Sequence, residues 1–364
     1  MPIKRRPLLL LPLALAACQD AATPLKLGFL GGLSGRVADL GDAGRNGALL
    51  AVEQCNQAGG LQGRPVELLI ADDEQNEEAA RRGIETLRQA GARAVIGPLT
   101  SSMGVAVLPL INQHQLLTLS PTITSTELFG LDDYLMLVAP PVSENCARSA
   151  AHLHAKGLRR AAVAYDLGNR SYTEDWLRHF SKSFAALGGS VVGQASFRAG
   201  ESYGDVVGRL LASQPDLLMF AANALDTVRL TQAARNQGAT QAISAASWAA
   251  TESLLQLGGR TVEGISLPQY FDRDDRSPRY LAFAEAYRQR FKQEPGFASV
   301  AAHDATRALL SVLASGSGAA LKAALLAGQR FEGLQASFSF DRFGDAQRKT
   351  HMTEVRDGRF VRLP

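Results

Sequence analysis

The sequence predicts an α/β fold of two doubly wound lobes, each a parallel sheet covered by helices. Three observations predict it. Short apolar strands alternate with helical stretches through almost the whole chain, the pattern of βαβ units. The alternation restarts after Pro140-Pro141 without repeating the earlier sequence. The chain has 364 residues, more than one ordinary core accommodates.

The elements follow in order. Residues 25–30 form an apolar strand, and a glycine-rich loop through Gly31, Gly32 and Gly35 leads to a helix over 43–58. Ala43, Gly47, Leu50, Ala51, Cys55 and Ala58 share one face of that helix, and Gly59-Gly60 stops it. A strand at 66–71, a helix at 77–90, a buried strand at 94–96, a helix at 101–114 and a strand at 116–119 complete the first half. A helix at 143–156 opens the second half. A strand at 161–165, a helix at 172–187 and strands at 191–197, 217–221, 242–245 and 264–267 continue it, with further helices between. Helices at 278–291 and 298–314 and strands at 334–340 and 352–355 finish the chain.

The first residues form a separate unit. Lys4, Arg5 and Arg6 precede an apolar run from Leu8 to Leu15, then small residues and Cys18. That is the layout of a secretory signal, and the run is too short to span a membrane, which takes about 20 residues. Leu15-Ala16-Ala17-Cys18 resembles a bacterial lipobox, which implies a diacylglycerol on the Cys18 thiol and a membrane tie through lipid. The net charge of +3 includes the signal's own basic residues, so the mature body is nearly neutral. No basic stretch interleaved with aromatics points to nucleic acid. Cys55 and Cys146 fall in different predicted lobes and lack metal-ligand spacing. They are read as buried free thiols.

Catalytic patterns do not emerge. The glycines at 28, 31, 32 and 35 do not have G-x-G-x-x-G spacing, and neither a phosphate-binding loop nor a G-x-S-x-G elbow occurs. His152 and His154 are two apart and diverge on a helix, and His303-Asp304 lies in an apolar helical run. No catalytic role is read from these residues, and no cofactor or metal is expected.

Several stretches carry a family resemblance. They include Leu33-Ser34-Gly35 through Gly41, Asn46-Gly47, the run from Asn56 to Leu68, and Ala71-Asp72-Asp73. Ile96-Gly97-Pro98-Leu99-Thr100-Ser101-Ser102, Leu119-Ser120-Pro121-Thr122-Ile123-Thr124 and Phe340-Asp341-Arg342-Phe343-Gly344 complete the set. In this order they resemble the bacterial branched-chain amino-acid-binding proteins, the type I periplasmic solute-binding family. The resemblance implies two lobes joined by three hinge crossings, with a small ligand held in the cleft between them. It divides the chain into a signal peptide (1–17), a lipidated linker (18–24), one lobe (25–140 with 269–340) and a second lobe (141–268 with 341–364). It implies a monomer in the periplasm or cell envelope, tied to a membrane by lipid. The partner is an ABC permease, or alternatively a membrane sensor kinase.

Ligands of open α/β sheets sit at the carboxyl ends of strands, beside helix N-termini. The loops at 97–102 and 120–124 lie there. The family resemblance assigns them a ligand carboxylate through Ser101 or Ser102, Thr122 and Thr124. From the other lobe it assigns Tyr172, Asn223 and Trp248. Trp248 stands near a position where amino-acid binders often carry an acid for the ammonium, and Leu40 stands where many place an aromatic. Asp166 is a candidate for the missing charge. The expected ligand is a small carboxylate or amide, aromatic compounds included.

Overall fold

The computed structural model describes residues 23–316, 318–328 and 330–364. The signal segment and Cys18 lie outside the described residues.

The first sheet contains β1 (Leu25–Gly31), β2 (Val66–Asp72), β3 (Val95–Ile96), β4 (Thr118–Ser120) and β5 (Leu135–Leu137). Its order is β2-β1-β3-β4-β5, and every pairing is parallel. Helices α1 (Ala38–Gln57), α2 (Glu77–Gln89) and α3 (Ser101–Gln113) alternate with these strands. The chain then enters α4 (Val142–Ala155) and the second sheet. That sheet begins with β6 (Arg160–Asp166), α5 (Arg170–Ala186), β7 (Ser190–Phe197), α6 (Tyr203–Leu211) and β8 (Leu217–Ala221). It continues through α7 (Ala224–Asn236), β9 (Ala242–Ala245), α8 (Glu252–Gly258) and β10 (Ser266–Gln269). Helices α9 (Pro278–Phe291), α10 (Phe297–Val312) and α11 (Ala319–Leu326) follow, and α9 and α10 pack on α1 beside the first sheet. The chain ends in β11 (His351–Arg356) and β12 (Arg359–Arg362).

The second sheet has the order β12-β11-β10-β9-β8-β6-β7. It is parallel from β7 to β10, but β11 and β12 are antiparallel. The expectation of a wholly parallel sheet is corrected at this edge. The sequence reading also missed β12. Its signal was Asp357-Gly358, both at positive φ, the two-residue hairpin turn whose twist matches its strands. The predicted strand at 334–340 is not one. That segment makes only isolated bridges, and Phe331, Phe338 and Phe340 pack ring to ring. The apolar alternation there reports an aromatic cluster.

Helix α1 begins at Ala38, five residues earlier than the pattern suggested. Gly41 and Gly44 read as loop because glycine is a weak helix former. Their use is close packing: a Cβ at Gly41 would lie 1.9 Å from the Gly32 carbonyl oxygen. Gly47 does the same against α10, where a Cβ would meet the Ser299 carbonyl oxygen at 2.1 Å. Helix α10 is buried almost all round, as a helix sandwiched in a core should be. In the second lobe Trp176, Phe180 and Phe184 stack at four-residue spacing along α5, with centroids 4.8 and 5.2 Å apart.

Candidate functional site

Two loops of the first sheet are bolted together at the strand ends. Ser120 Oγ donates to the Pro98 carbonyl at 2.7 Å and accepts from the Ile123 amide. Thr122 Oγ1 donates to the Leu99 carbonyl at 2.6 Å, and the Ser125 amide donates to Ser101 Oγ at 3.3 Å. Ser101 opens α3, whose N-cap Thr100 makes no side-chain cap bond. The first-turn N–H groups of that helix are therefore free of intrahelical partners. They point their partial positive charge toward the cleft.

The opposite wall comes from the second sheet. Tyr172 on α5 meets Trp248 edge to face, at 5.9 Å and 83°. Its hydroxyl lies 3.1 Å from Ser247 Oγ, and burial pushes that hydroxyl's pKa far above the ordinary tyrosine value. Tyr270, just after β10, meets Phe297, which the first lobe contributes from the start of α10, edge to face at 6.2 Å. Leu40 and Leu99 close the apolar part. The cavity so enclosed is lined by side chains from both sheets.

Of the residues expected from sequence, Ser101, Thr122, Thr124, Tyr172 and Trp248 line this one cavity. Ser102 and Asn223 do not. Ser102 instead ties the lobes: its amide donates to Asn169 Oδ1 at 3.0 Å, and its Oγ accepts from the Ser171 amide at 3.1 Å. Asn223 caps α7, accepting from the Asp226 amide at 2.9 Å while its Nδ2 donates to Asp226 Oδ2 at 2.7 Å. Asp166 is likewise absent from the lining. It accepts from the Gly168 amide and faces Arg36 at 3.3 Å, and burial raises its pKa against that pull. The sequence reading missed Asn169, Gln269, Tyr270 and Phe297 as lining residues. Gln269 and Tyr270 follow the rule that ligands sit at strand carboxyl ends, applied to β10.

No lining residue carries a carboxylate, an ammonium or a guanidinium. The polar groups are hydroxyls and amides. Among the described residues no cluster of His, Cys, Asp or Glu is placed to hold a metal ion. His303 and Asp304 do not act together: His303 Nε2 meets Gln54, while Asp304 pairs with Arg348 at 2.9 Å. Cys55 and Cys146 are both free, Cys146 buried as expected but Cys55 only half-buried.

The lobes also touch outside the cavity. Arg36 reaches Asp226 and Asp166 from the loop after β1. Gln75 Nε2 donates to the Gly168 carbonyl at 3.2 Å, the Thr126 amide donates to Asp175 at 2.6 Å, and Thr251 Oγ1 donates to Asp39 at 2.5 Å. The cleft is closed by these bonds.

Two lobes that shut on a small cavity at their strand ends define a solute-binding fold. Residues 24–359 match the family model described as "Periplasmic binding protein", and the chain belongs to that family. It is 25% identical over 304 residues to the Leu/Ile/Val-binding protein of Escherichia coli (strain K12), covering 82% of each chain. Two solved structures share the fold. One is the branched-chain amino acid transporter substrate binding protein LivJ from Streptococcus pneumoniae in complex with isoleucine. Its TM-score is 0.85 at 22% identity, covering 94% of this chain and 100% of that one. The other is an ABC transporter solute binding protein from R. palustris in complex with benzoate. Its TM-score is 0.82 at 20% identity, covering 93% and 95%. Among the described residues no helix is long and apolar enough to cross a membrane.

Proposed function

We propose that this chain is the extracytoplasmic binding component of an ABC importer. It captures a small carboxylate- or amide-bearing solute between its lobes by hinge closure and hands it to the permease. The observation that carries this reading is the cavity at the strand ends, lined from both sheets by Ser101, Thr122 and Thr124 and by Tyr172 and Trp248. A ligand that touches both walls favours the closed form over the open one, because only the closed form offers both sets of contacts. The relatives named for solute binding and ABC transport support the transport role.

In this reading Ser101, Thr122 and Thr124 present the polar wall, and Tyr172 and Trp248 the apolar one. The lobes divide as 25–140 with 269–340 and 141–268 with 341–364. The packing of α9 and α10 on α1 supports this division in outline, with Gln269, the last residue of β10, still in the second sheet. The chain works as a monomer in the periplasm or cell envelope, tied to a membrane by lipid on Cys18. The lipobox-like sequence supports that anchor.

A thermal-shift screen of the full chain tests the reading, using amino acids, short amides, and aliphatic and aromatic acids. A ligand at about 100 times its dissociation constant should stabilise by about 2.7 kcal/mol, and small-angle scattering should show compaction on binding. A panel with no stabilising member, and no compaction, would overturn it.

A further inference from the structure

Resting on the reading above, we propose that the bound solute is an aromatic carboxylate with no α-ammonium group. An ammonium buried in this cavity would need a carboxylate beside it, since desolvating a charge without a partner is unfavourable. The lining has none. The acids flanking the cavity are already engaged. Asp166 and Asp226 share Arg36. Asp175 accepts from the Thr126 amide and hydroxyl, and Asp39 from the Leu40 amide and Thr251 Oγ1.

The polar wall is instead a set of neutral donors. Asn169 is 3% exposed, and its Oδ1 is taken by the Ser102 amide. That bond fixes the amide orientation and leaves Nδ2 as a donor, with no acceptor among the described residues. Asn169 lines the cavity beside Ser101 and Thr124, next to the N-terminus of the thirteen-residue helix α3. Ser101 Oγ accepts from the Ser125 amide, so its hydrogen is also free to donate. Donors converging at a helix N-terminus accept an anion without a cation. The same cavity is lined by Tyr172 and Trp248, and by Tyr270 and Phe297, in two edge-to-face pairs. Such ring edges and faces suit an aromatic guest.

Calorimetry on the full chain decides the matter, with benzoate, phenylacetate, 4-methylpentanoate, L-leucine and L-phenylalanine as probes. The expected result is binding of an aromatic acid at least 100-fold tighter than either amino acid and tighter than the aliphatic acid. An amino acid or 4-methylpentanoate binding as tightly as the aromatic acids would overturn this inference and leave the solute-binding reading standing. No binding by any wider panel member would overturn both. Asn169→Asp is nearly isosteric and keeps the acceptor for the Ser102 amide. It should weaken the aromatic acid at least tenfold, and unchanged affinity would overturn the assignment. Trp248→Glu supplies the missing carboxylate and should shift preference toward L-phenylalanine.

Discussion

Arg36 and Asp226 pair across the cleft, the guanidinium coming from the loop after β1 and the carboxylate from the first turn of α7. Asp226 is fully buried and is also held by the Tyr203 hydroxyl at 2.6 Å and by Asn223. Asp166 adds a second acid to the same guanidinium. One cation thus joins two buried acids of the opposite lobe, and it can do so only when the cleft is shut.

Arg36→Ala should therefore weaken ligand binding without unfolding either lobe. Removing one partner of a buried pair is costly, but the Arg36 side chain is 25% exposed, so the loss is about 1–2 kcal/mol. That corresponds to roughly 5–30-fold in dissociation constant. Titration calorimetry reads the affinity and thermal denaturation of the ligand-free chain reads the fold. A large drop in the ligand-free melting point would contradict a role confined to closure.

A second buried pair acts on stability rather than on closure. Arg348 meets Asp304 on α10 at 2.9 Å, donates to the Val138 carbonyl and lies over the Phe338 ring. Both side chains are buried, at 8% and 1% exposure. Arg348→Ala orphans Asp304 and should cost about 3–5 kcal/mol in denaturant unfolding. Adding Asp304→Asn should recover a good part of that loss, because the uncompensated charge is gone. A double variant as unstable as the single one would argue that packing, not charge, holds this site.

The α1–α10 contact makes a steric prediction. Gly47→Ala drives a methyl into the Ser299 carbonyl and should destabilise by about 3 kcal/mol. Gly204 in α6 has only ordinary contacts, beginning at 3.6 Å. Gly204→Ala should be neutral or stabilising by up to about 1 kcal/mol. The urea midpoint of the Gly47 variant should fall well below that of the parent chain, and that of the Gly204 variant should match or exceed it.

His303 makes stability depend on pH. It is buried against the Phe283 ring, and burial holds its pKa down to about 3. The unfolded chain, with an ordinary value near 6.5, binds a proton that the folded chain refuses. The His303 contribution is therefore whole above pH 6.5 and is lost as pH falls toward 3. Asp73, Asp133 and Asp345, each pushed up to about 6 by burial, act in the opposite sense and favour the fold as pH falls. The comparison of parent with His303→Gln isolates one group. Between pH 7 and 5 the parent should lose about 2 kcal/mol relative to the variant. Parallel stability curves would show that the imidazole is not excluded from protonation.

The alternation of apolar runs and helical stretches determined the two-lobed α/β architecture, because strand and helix periods are local properties of the chain. The loops at 97–102 and 120–124 were legible as a site for the same reason, since ligand positions in such sheets follow strand ends. The family resemblance, not the strand ends, pointed to the hydroxyls at Ser101, Thr122 and Thr124 and the rings at Tyr172 and Trp248. Only the tertiary structure decided what each neighbour does with its polar atoms. Ser102 differs from Ser101 by a rotation of about 100° along α3, and this turns its hydroxyl to the other lobe. Asn223 faces its own helix rather than the cavity, and Asp166 is claimed by an arginine 130 residues earlier in the chain. Burial and long-range pairing settle whether a polar group is spent or free, and neither is encoded in the spacing of residues along a strand or helix.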